Sequence, residues 1–235
     1  MSVYLVHGDK GGVGKSFLAA VLVEYLCERG CKVAVVDADA RNTDLYAVFI
    51  KGNFPTLQTD LREEDGWTEL ASFLESIPHK DVVVSLPAGV GDEVTQNRDL
   101  FRDALHDLRR SLVAFWVLNR TPHSIALLRP FMDHYADTAR AMIAVRNLFF
   151  GAPERFGRWN ASKTRDAFLS ARGLEMNLDE LNDAVADATF LHLPPRRFSD
   201  GAALNYGERR TLRRWLNHAF AGLDALGDRL GAGVR

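Results

Sequence analysis

Short apolar runs alternate along the chain with longer stretches in which apolar residues recur every three or four positions, the pattern of strands exchanging with helices. Residues 2–6 form the first apolar run. Phe17, Leu18, Val21, Leu22, Tyr25 and Leu26 then fall at helical spacing within residues 16–29, and Gly30 stands where a left-handed C-terminal cap belongs. Residues 32–36 are a β-branched run, so the three pieces make a βαβ unit and require a parallel sheet. Residues 81–84, 111–118, 141–146 and 189–193 read as buried strands, with 54–61 a short extended excursion. Residues 66–77, 95–110 and 124–135 read as helices, the last with Ser124 as its N-cap. The fold class is α/β: a doubly wound, mostly parallel sheet with helices on both faces.

Two stretches stand apart from this rhythm. Residues 151–188 first carry Arg155, Arg158, Lys163, Arg165 and Arg172 with Phe156 and Trp159 among them, then Glu175, Asp179, Glu180, Asp183 and Asp187. Basic residues interleaved with aromatics can grip nucleic acid. The favoured arrangement is a helical insertion, two exposed helices packing through Phe168, Leu169, Leu178, Leu181 and Val185. Residues 206–230 form an amphipathic helix: Leu212, Trp215, Leu216, Ala219, Phe220, Leu223, Leu226 and Leu230 make one stripe, opposite Arg210, Arg214, Asn217, Asp224 and Asp228. Such a helix can cover the sheet, lie on an anionic membrane, or present Arg209, Arg210, Arg213 and Arg214 to DNA phosphates. Acidic residues in its second half favour the cover.

At 235 residues the chain fits one domain over 1–235, and 47% hydrophobic with 26% charged residues excludes disorder. A net charge of −2 makes any preference for a polyanion regional, centred on the eight arginines of residues 196–235. Cys27 and Cys31 suggest neither a disulfide framework nor a zinc site, and are expected as buried, reduced thiols. The first apolar run leads into a glycine-rich loop with no leader pattern, and no stretch is long and apolar enough for a bilayer, so a cytoplasmic location is expected.

The chemistry concentrates in His7-Gly8-Asp9-Lys10-Gly11-Gly12-Val13-Gly14-Lys15-Ser16, between the first strand and the first helix. Glycines without a Cβ let successive backbone N–H groups approach phosphate oxygens, and the helix N-terminus adds donors and a favourable dipole. Lys15 supplies positive charge for the outer phosphates, and the Ser16 hydroxyl suits the accompanying Mg²⁺. Gly11, Gly12, Val13, Gly14, Lys15, Ser16 and Phe17 are thus the nucleotide-binding run. Because Lys10 stands at the front of Lys-Gly-Gly-x-Gly-Lys-Ser, the chain resembles the MinD/ParA family of deviant Walker A P-loop ATPases.

That resemblance implies several roles. Lys10 reaches across an ATP-bound homodimer to the partner's phosphates while Lys15 serves its own. Asp39, in Asp37-Ala38-Asp39 after the second strand, helps position water, and Asp37 joins Ser16 in the Mg²⁺ shell; either aspartate is equally open to capping the next turn. Where the family carries Asp-x-Pro-Ala-Gly this chain has Ser85-Leu86-Pro87-Ala88-Gly89, a loss of charge that weakens Mg²⁺ binding or slows turnover unless Asp37, Asp39, Asp92 or Glu93 compensates. Asn147, with Asn119 as fallback, reads the adenine edge, and Pro194 of Leu193-Pro194-Pro195-Arg196 packs against the base. The implied function is an ATP- and Mg²⁺-dependent dimerising ATPase that positions or partitions cargo such as plasmid DNA or conjugation machinery, with a protein activator or cargo adaptor. DNA is a possible partner, a membrane surface a less favoured one. The rivals are an ATP-binding adaptor that hydrolyses little, suggested by Ser85, and an ATP-dependent small-molecule ligase or kinase on the same fold.

Overall fold

The computed structural model describes residues 1–8, 11–40, 44–50, 54–89, 96–191 and 204–231. Its strands are β1 (Ser2–His7), β2 (Val33–Asp37), β3 (Thr56–Gln58), β4 (Asp81–Ser85), β5 (Ser111–Leu118), β6 (Ala139–Asn147) and β7 (Leu174–Leu178). They lie in one sheet in the order β3-β2-β4-β1-β5-β6-β7, every pairing parallel. β1 is central and fully buried because helices cover both faces, which is why parallel strands read as nearly continuous apolar runs. The chain fills one side of β1 first and then the other, so a switch point lies at the carboxyl end of β1, where open α/β sheets bind ligands.

Alternate residues of each strand feed two cores. Tyr4, Val6, Val35, Val83, Phe115 and Ile143 face α1 (Lys15–Glu28) and the C-terminal helix Tyr206–Asp224. Leu5, Val36, Val84, Ala114, Trp116 and Ala144 face helices Glu64–Ser76, Arg98–Asp107 and Leu128–Tyr135. Gly30 takes the expected left-handed conformation after α1, with φ of 74°. Cys27 and Cys31 form no disulfide and are half-buried, less enclosed than the sequence suggested, because they flank the turn after α1, where the chain meets solvent.

Three local expectations are corrected. The helix expected over 124–135 is two helices, Pro122–Ala126 and Leu128–Tyr135, because the ring of Pro130 has no N–H for the Ala126 carbonyl and would clash with it. Its N-cap is Thr121, not Ser124: the Thr121 hydroxyl accepts from Ser124 N at 3.4 Å, and Pro122 takes the first helical position. The 151–188 stretch is not purely helical, for it contains β7, in which Leu174, Met176 and Leu178 alternate toward the core. Conversely, Thr189 does not begin a strand: helix Asp183–Leu191 runs through it, Leu181, Val185 and Thr189 are buried at four-residue spacing, and the Thr189 hydroxyl donates to Val185 O at 2.5 Å.

The aromatics of this stretch are structural. Phe156, Trp159 and Phe168 are at most 1% exposed, and Trp159 Nε1 donates to Glu175, which also receives the Arg165 guanidinium through two bonds at 2.8 and 2.9 Å. Burial raises the Glu175 carboxyl, but the Arg165 and Trp159 bonds outweigh it and leave the pKa below its ordinary value. No ring among these is available for a base to stack on.

The C-terminal helix is a cover. Leu212, Trp215, Leu216, Ala219, Phe220 and Leu223 are buried against the α1 face, so the apolar stripe is occupied by the core. A reciprocal capping box starts it: Asn205 Oδ1 accepts from Glu208 N at 3.0 Å, and Glu208 Oε2 accepts from Asn205 N at 2.8 Å. Arg213 pairs with Glu28 at 2.8 Å, Asp224 takes bonds from Tyr25 and Arg29, and Arg210 and Arg214 stay exposed. The helix ends at Asp224 and a 3₁₀ turn, Gly227–Leu230, completes the expected span. Among the described residues, no helix is long and apolar enough to cross a membrane.

Candidate functional site

At the end of β1 the chain enters the glycine-rich loop and re-emerges as α1 at Lys15. Gly14 is the helix N-cap, with φ of 99°, and offers no side-chain cap; no acidic residue occupies the first turn. Gly14 itself caps none of the leading N–H groups of α1, and the positive end of the helix dipole points toward the loop, an arrangement suited to an anion. A Cβ on Gly14 would lie 2.5 Å from Asn147 Nδ2 and demand a conformation L residues rarely adopt, so the position requires glycine twice over. Gly11 and Gly12 are exposed with open space where a Cβ would project, leaving room for phosphate oxygens. Lys15 is only 9% exposed, Ser16 and Phe17 are half-buried, and Val13 anchors the loop in the core at 1% exposure.

Asn147 braces this loop. Its Nδ2 donates to Val13 O at 2.9 Å, and its Oδ1 accepts from Phe149 N at 3.1 Å. The amide thus ties the end of β6 to the loop, keeping one proton and one lone pair free of these bonds. Asn119 is a turn residue: its Oδ1 accepts from Thr121 N at 2.9 Å and from Thr121 Oγ1 at 2.7 Å.

The carboxylates lie at the same sheet edge. Asp37 and Ser85 are register partners at the ends of β2 and β4, 1% and 3% exposed. Asp37 Oδ2 accepts from Tyr46 N at 2.9 Å and Oδ1 from Asp39 N at 3.3 Å, so Asp37 fastens the loop after β2 to helix Asp44–Phe49. Asp39 pairs with Arg62 at 3.2 Å. Among the described residues no cluster of three metal-ligating side chains occurs. Magnesium needs few protein ligands when phosphates and water complete its shell, and a hydroxyl and a carboxylate, such as Ser16 and Asp37 carry, are donors of the right type. Lys10, Asp92, Glu93 and Pro194 lie outside the described residues.

His7, the last residue of β1, is buried where the strand runs into the loop. Its ring meets Trp116 edge-on at 4.9 Å and Phe131 at 5.8 Å, and Nδ1 has no partner among the described residues. Burial, then the nearby charges of Lys15 and His134, push its pKa down to about 3. The folded ring stays neutral where an unfolded histidine would protonate, so stability is complete above the unfolded value of 6.5 and falls as pH drops toward 3. We expect the melting temperature to fall between about pH 7 and about pH 5, and His7→Phe to flatten that slope, as measured by thermal unfolding of both proteins.

A cleft of about 330 Å³ opens beside the loop, lined by Gly12, Gly14, Phe17, Asn147 and Phe149 on one side. Its other wall carries Asp179, Glu180, Leu181, Asp183, Ala186 and Asp187. This second wall was missed by sequence reasoning; the acidic run was visible, but its distance from the loop in sequence gave no sign of proximity.

A family model described as the CobQ/CobB/MinD/ParA nucleotide binding domain matches residues 4–150. The chain belongs to this family. The match runs from Tyr4 within β1 to Phe150, so the CobQ/CobB/MinD/ParA core contains the loop, both aspartates, Ser85 and Asn147, and excludes the acidic wall. "Protein MobD" of Acidithiobacillus ferrooxidans is 34% identical over 221 residues, covering 93% of this chain and 94% of that protein. Among solved structures, the cell division ATPase MinD of Pyrococcus furiosus superposes with a TM-score of 0.60 at 14% identity, covering 96% of this chain and 99% of that one. MinD of Pyrococcus horikoshii, complexed with Mg-ADP, gives 0.55 at 15% identity over 94% and 98%. The MinC:MinD complex of Aquifex aeolicus gives 0.52 at 16% identity over 92% and 96%. At such identities these structures speak for the fold.

Proposed function

We propose that the protein is an ATP- and Mg²⁺-dependent ATPase of the MinD/ParA type, closing into a homodimer when ATP is bound and opening after hydrolysis. The observation that carries this is the N-terminus of α1 at the sheet's switch point, opened by Gly14 after the glycine-rich loop, with Lys15 buried in its first turn and no acidic residue there. Lys15 holds the bound molecule's own phosphates, and Lys10 reaches those of the second subunit. Ser16 and Asp37 would hold Mg²⁺, which would supply positive charge to the phosphate oxygens. Asp39 orients the attacking water.

The flanking cleft suits the nucleoside end. Its carboxylates repel phosphates and accept from ribose hydroxyls or an exocyclic amine, while Phe17, Phe149 and Leu181 offer apolar surface for the base. Charge alone therefore orients the nucleotide, with phosphates toward the loop. A relative of known fold in complex with Mg-ADP, and another assembled with MinC, support a nucleotide, a metal and a protein partner in general terms. The cargo class, plasmid DNA or conjugation machinery in the cytoplasm, follows the family resemblance. The exposed Arg210 and Arg214 are where DNA phosphates or an acidic adaptor would meet the C-terminal helix.

A second reading has one specific observation behind it: Ser85 is neutral and buried where the family carries a carboxylate, which favours an ATP-binding adaptor with little hydrolysis. Phosphate release with Mg²⁺-ATP decides between them. Turnover by wild type that disappears in Lys15→Ala supports the ATPase; tight ATP binding without release beyond the uncatalysed background supports the adaptor.

A further inference from the structure

The loop between β3 and helix Glu64–Ser76 rests directly on the end of β2. Thr59 N donates to Asp37 O at 3.1 Å, and Leu61 N to Ala38 O at 3.5 Å. This loop is braced from behind. Leu61 is fully buried and its carbonyl accepts from Trp67 Nε1 at 3.0 Å, while Thr59 Oγ1 donates to Glu69 Oε2 at 2.7 Å. Out of it comes Arg62, whose guanidinium lies between two carboxylates: Nη1 meets Asp60 Oδ1 and Nη2 meets Asp39 Oδ1, each at 3.2 Å. Asp60 Oδ1 also accepts from Arg62 N at 3.0 Å, which locks the arginine to its own turn. The three side chains are 17%, 26% and 21% exposed, for Arg62, Asp60 and Asp39, enclosed enough for the ion pairs to escape full solvent screening.

We propose that Arg62 is a positioning residue for Asp39, with Asp60 holding the guanidinium so that its second nitrogen fixes the Asp39 carboxylate. The proposal rests on the reading of Asp39 as the carboxylate that orients water. A planar fork anchored at one nitrogen has its other nitrogen set in space, and a carboxylate bound there loses rotamer freedom. Arg62 also offsets negative charge at a sheet edge that must receive phosphates, where Asp37 and Asp39 stand two residues apart. Lysine has no fork and cannot grip both carboxylates in one plane.

The test is a kinetic double-mutant cycle in Mg²⁺-ATP with wild type, Arg62→Ala, Arg62→Lys, Asp39→Asn and the Arg62→Ala/Asp39→Asn double variant, with melting temperature followed throughout. Arg62→Ala is expected to lower kcat about 10-fold with KM changed less than about 2-fold, Arg62→Lys to recover part of the loss, and the double variant to turn over like Asp39→Asn alone. Multiplying effects, a loss confined to KM, or a kcat unchanged in Arg62→Ala while Asp39→Asn is impaired would overturn the role of Arg62 alone. Unchanged turnover in Asp39→Asn, or no turnover in wild type, would overturn the reading of Asp39 on which it rests, and Arg62's role with it.

Discussion

Lys15→Ala is expected to weaken ATP binding at least about 100-fold, about 3 kcal/mol, while leaving the fold intact. Lys15 as a residue is 9% exposed in the first turn of α1, so a phosphate that meets it meets a cation held in a largely enclosed place. Removing it takes from the phosphates the one cation their own subunit's first helical turn supplies, while the acidic wall of the flanking cleft stays in place. Helix propensity does not oppose the change, since alanine is the better helix former and Gly14 still begins the turn. Titration of a fluorescent ATP analogue, with melting of the nucleotide-free variant as control, checks both halves. Binding within a few-fold of wild type would remove Lys15 from the site.

Gly66→Ala is expected to destabilise the protein by about 3 kcal/mol, or roughly 6–12 °C in melting temperature. Helix propensity alone would favour alanine by about 1 kcal/mol at an interior helical position. Contact decides otherwise, because a Cβ there would sit 2.2 Å from Asp60 O, 2.7 Å from its carbonyl carbon and 3.0 Å from Thr59 Oγ1. The obstacle is backbone, which cannot swing aside as a side chain tip can. The loop that would have to move is the one that bears Arg62 and receives Trp67, so loss of stability should be accompanied by loss of order next to Asp39. Thermal unfolding together with hydrogen exchange over residues 56–66 measures both; a melting temperature equal to wild type would show that the loop has slack.

Much of the fold was legible because a parallel sheet buried on both faces writes its strands as apolar runs. The strands at 81–85 and 111–118 were readable from that signal alone, as was the phosphate loop from its glycines and lysines. β7 was not, since an edge strand carries only alternation, and Leu174, Met176 and Leu178 sit amid charged residues whose partners are distant or on another element. Thr189 was misread for the converse reason: a β-branched residue beside apolar neighbours resembles a strand until Leu181 and Val185 are counted at helical spacing. The site shows the same division. Lys15, Ser16, Asp37 and Asp39 could be named from local motifs. That Asn147 braces the loop, that Asp37 anchors the following helix, and that Arg62 holds Asp39 depend on contacts across 9 to 134 residues of sequence, which no local pattern records.

The most direct test of the nucleotide switch is the mass in solution by light scattering of wild type and Lys10→Ala, with Mg²⁺ and either ADP or a non-hydrolysable ATP analogue. Wild type should double in mass with the ATP analogue and remain a monomer with ADP, and Lys10→Ala should stay monomeric with both. A wild type that binds the analogue yet keeps one mass in both nucleotides would contradict the switch and the cross-subunit role of Lys10 together.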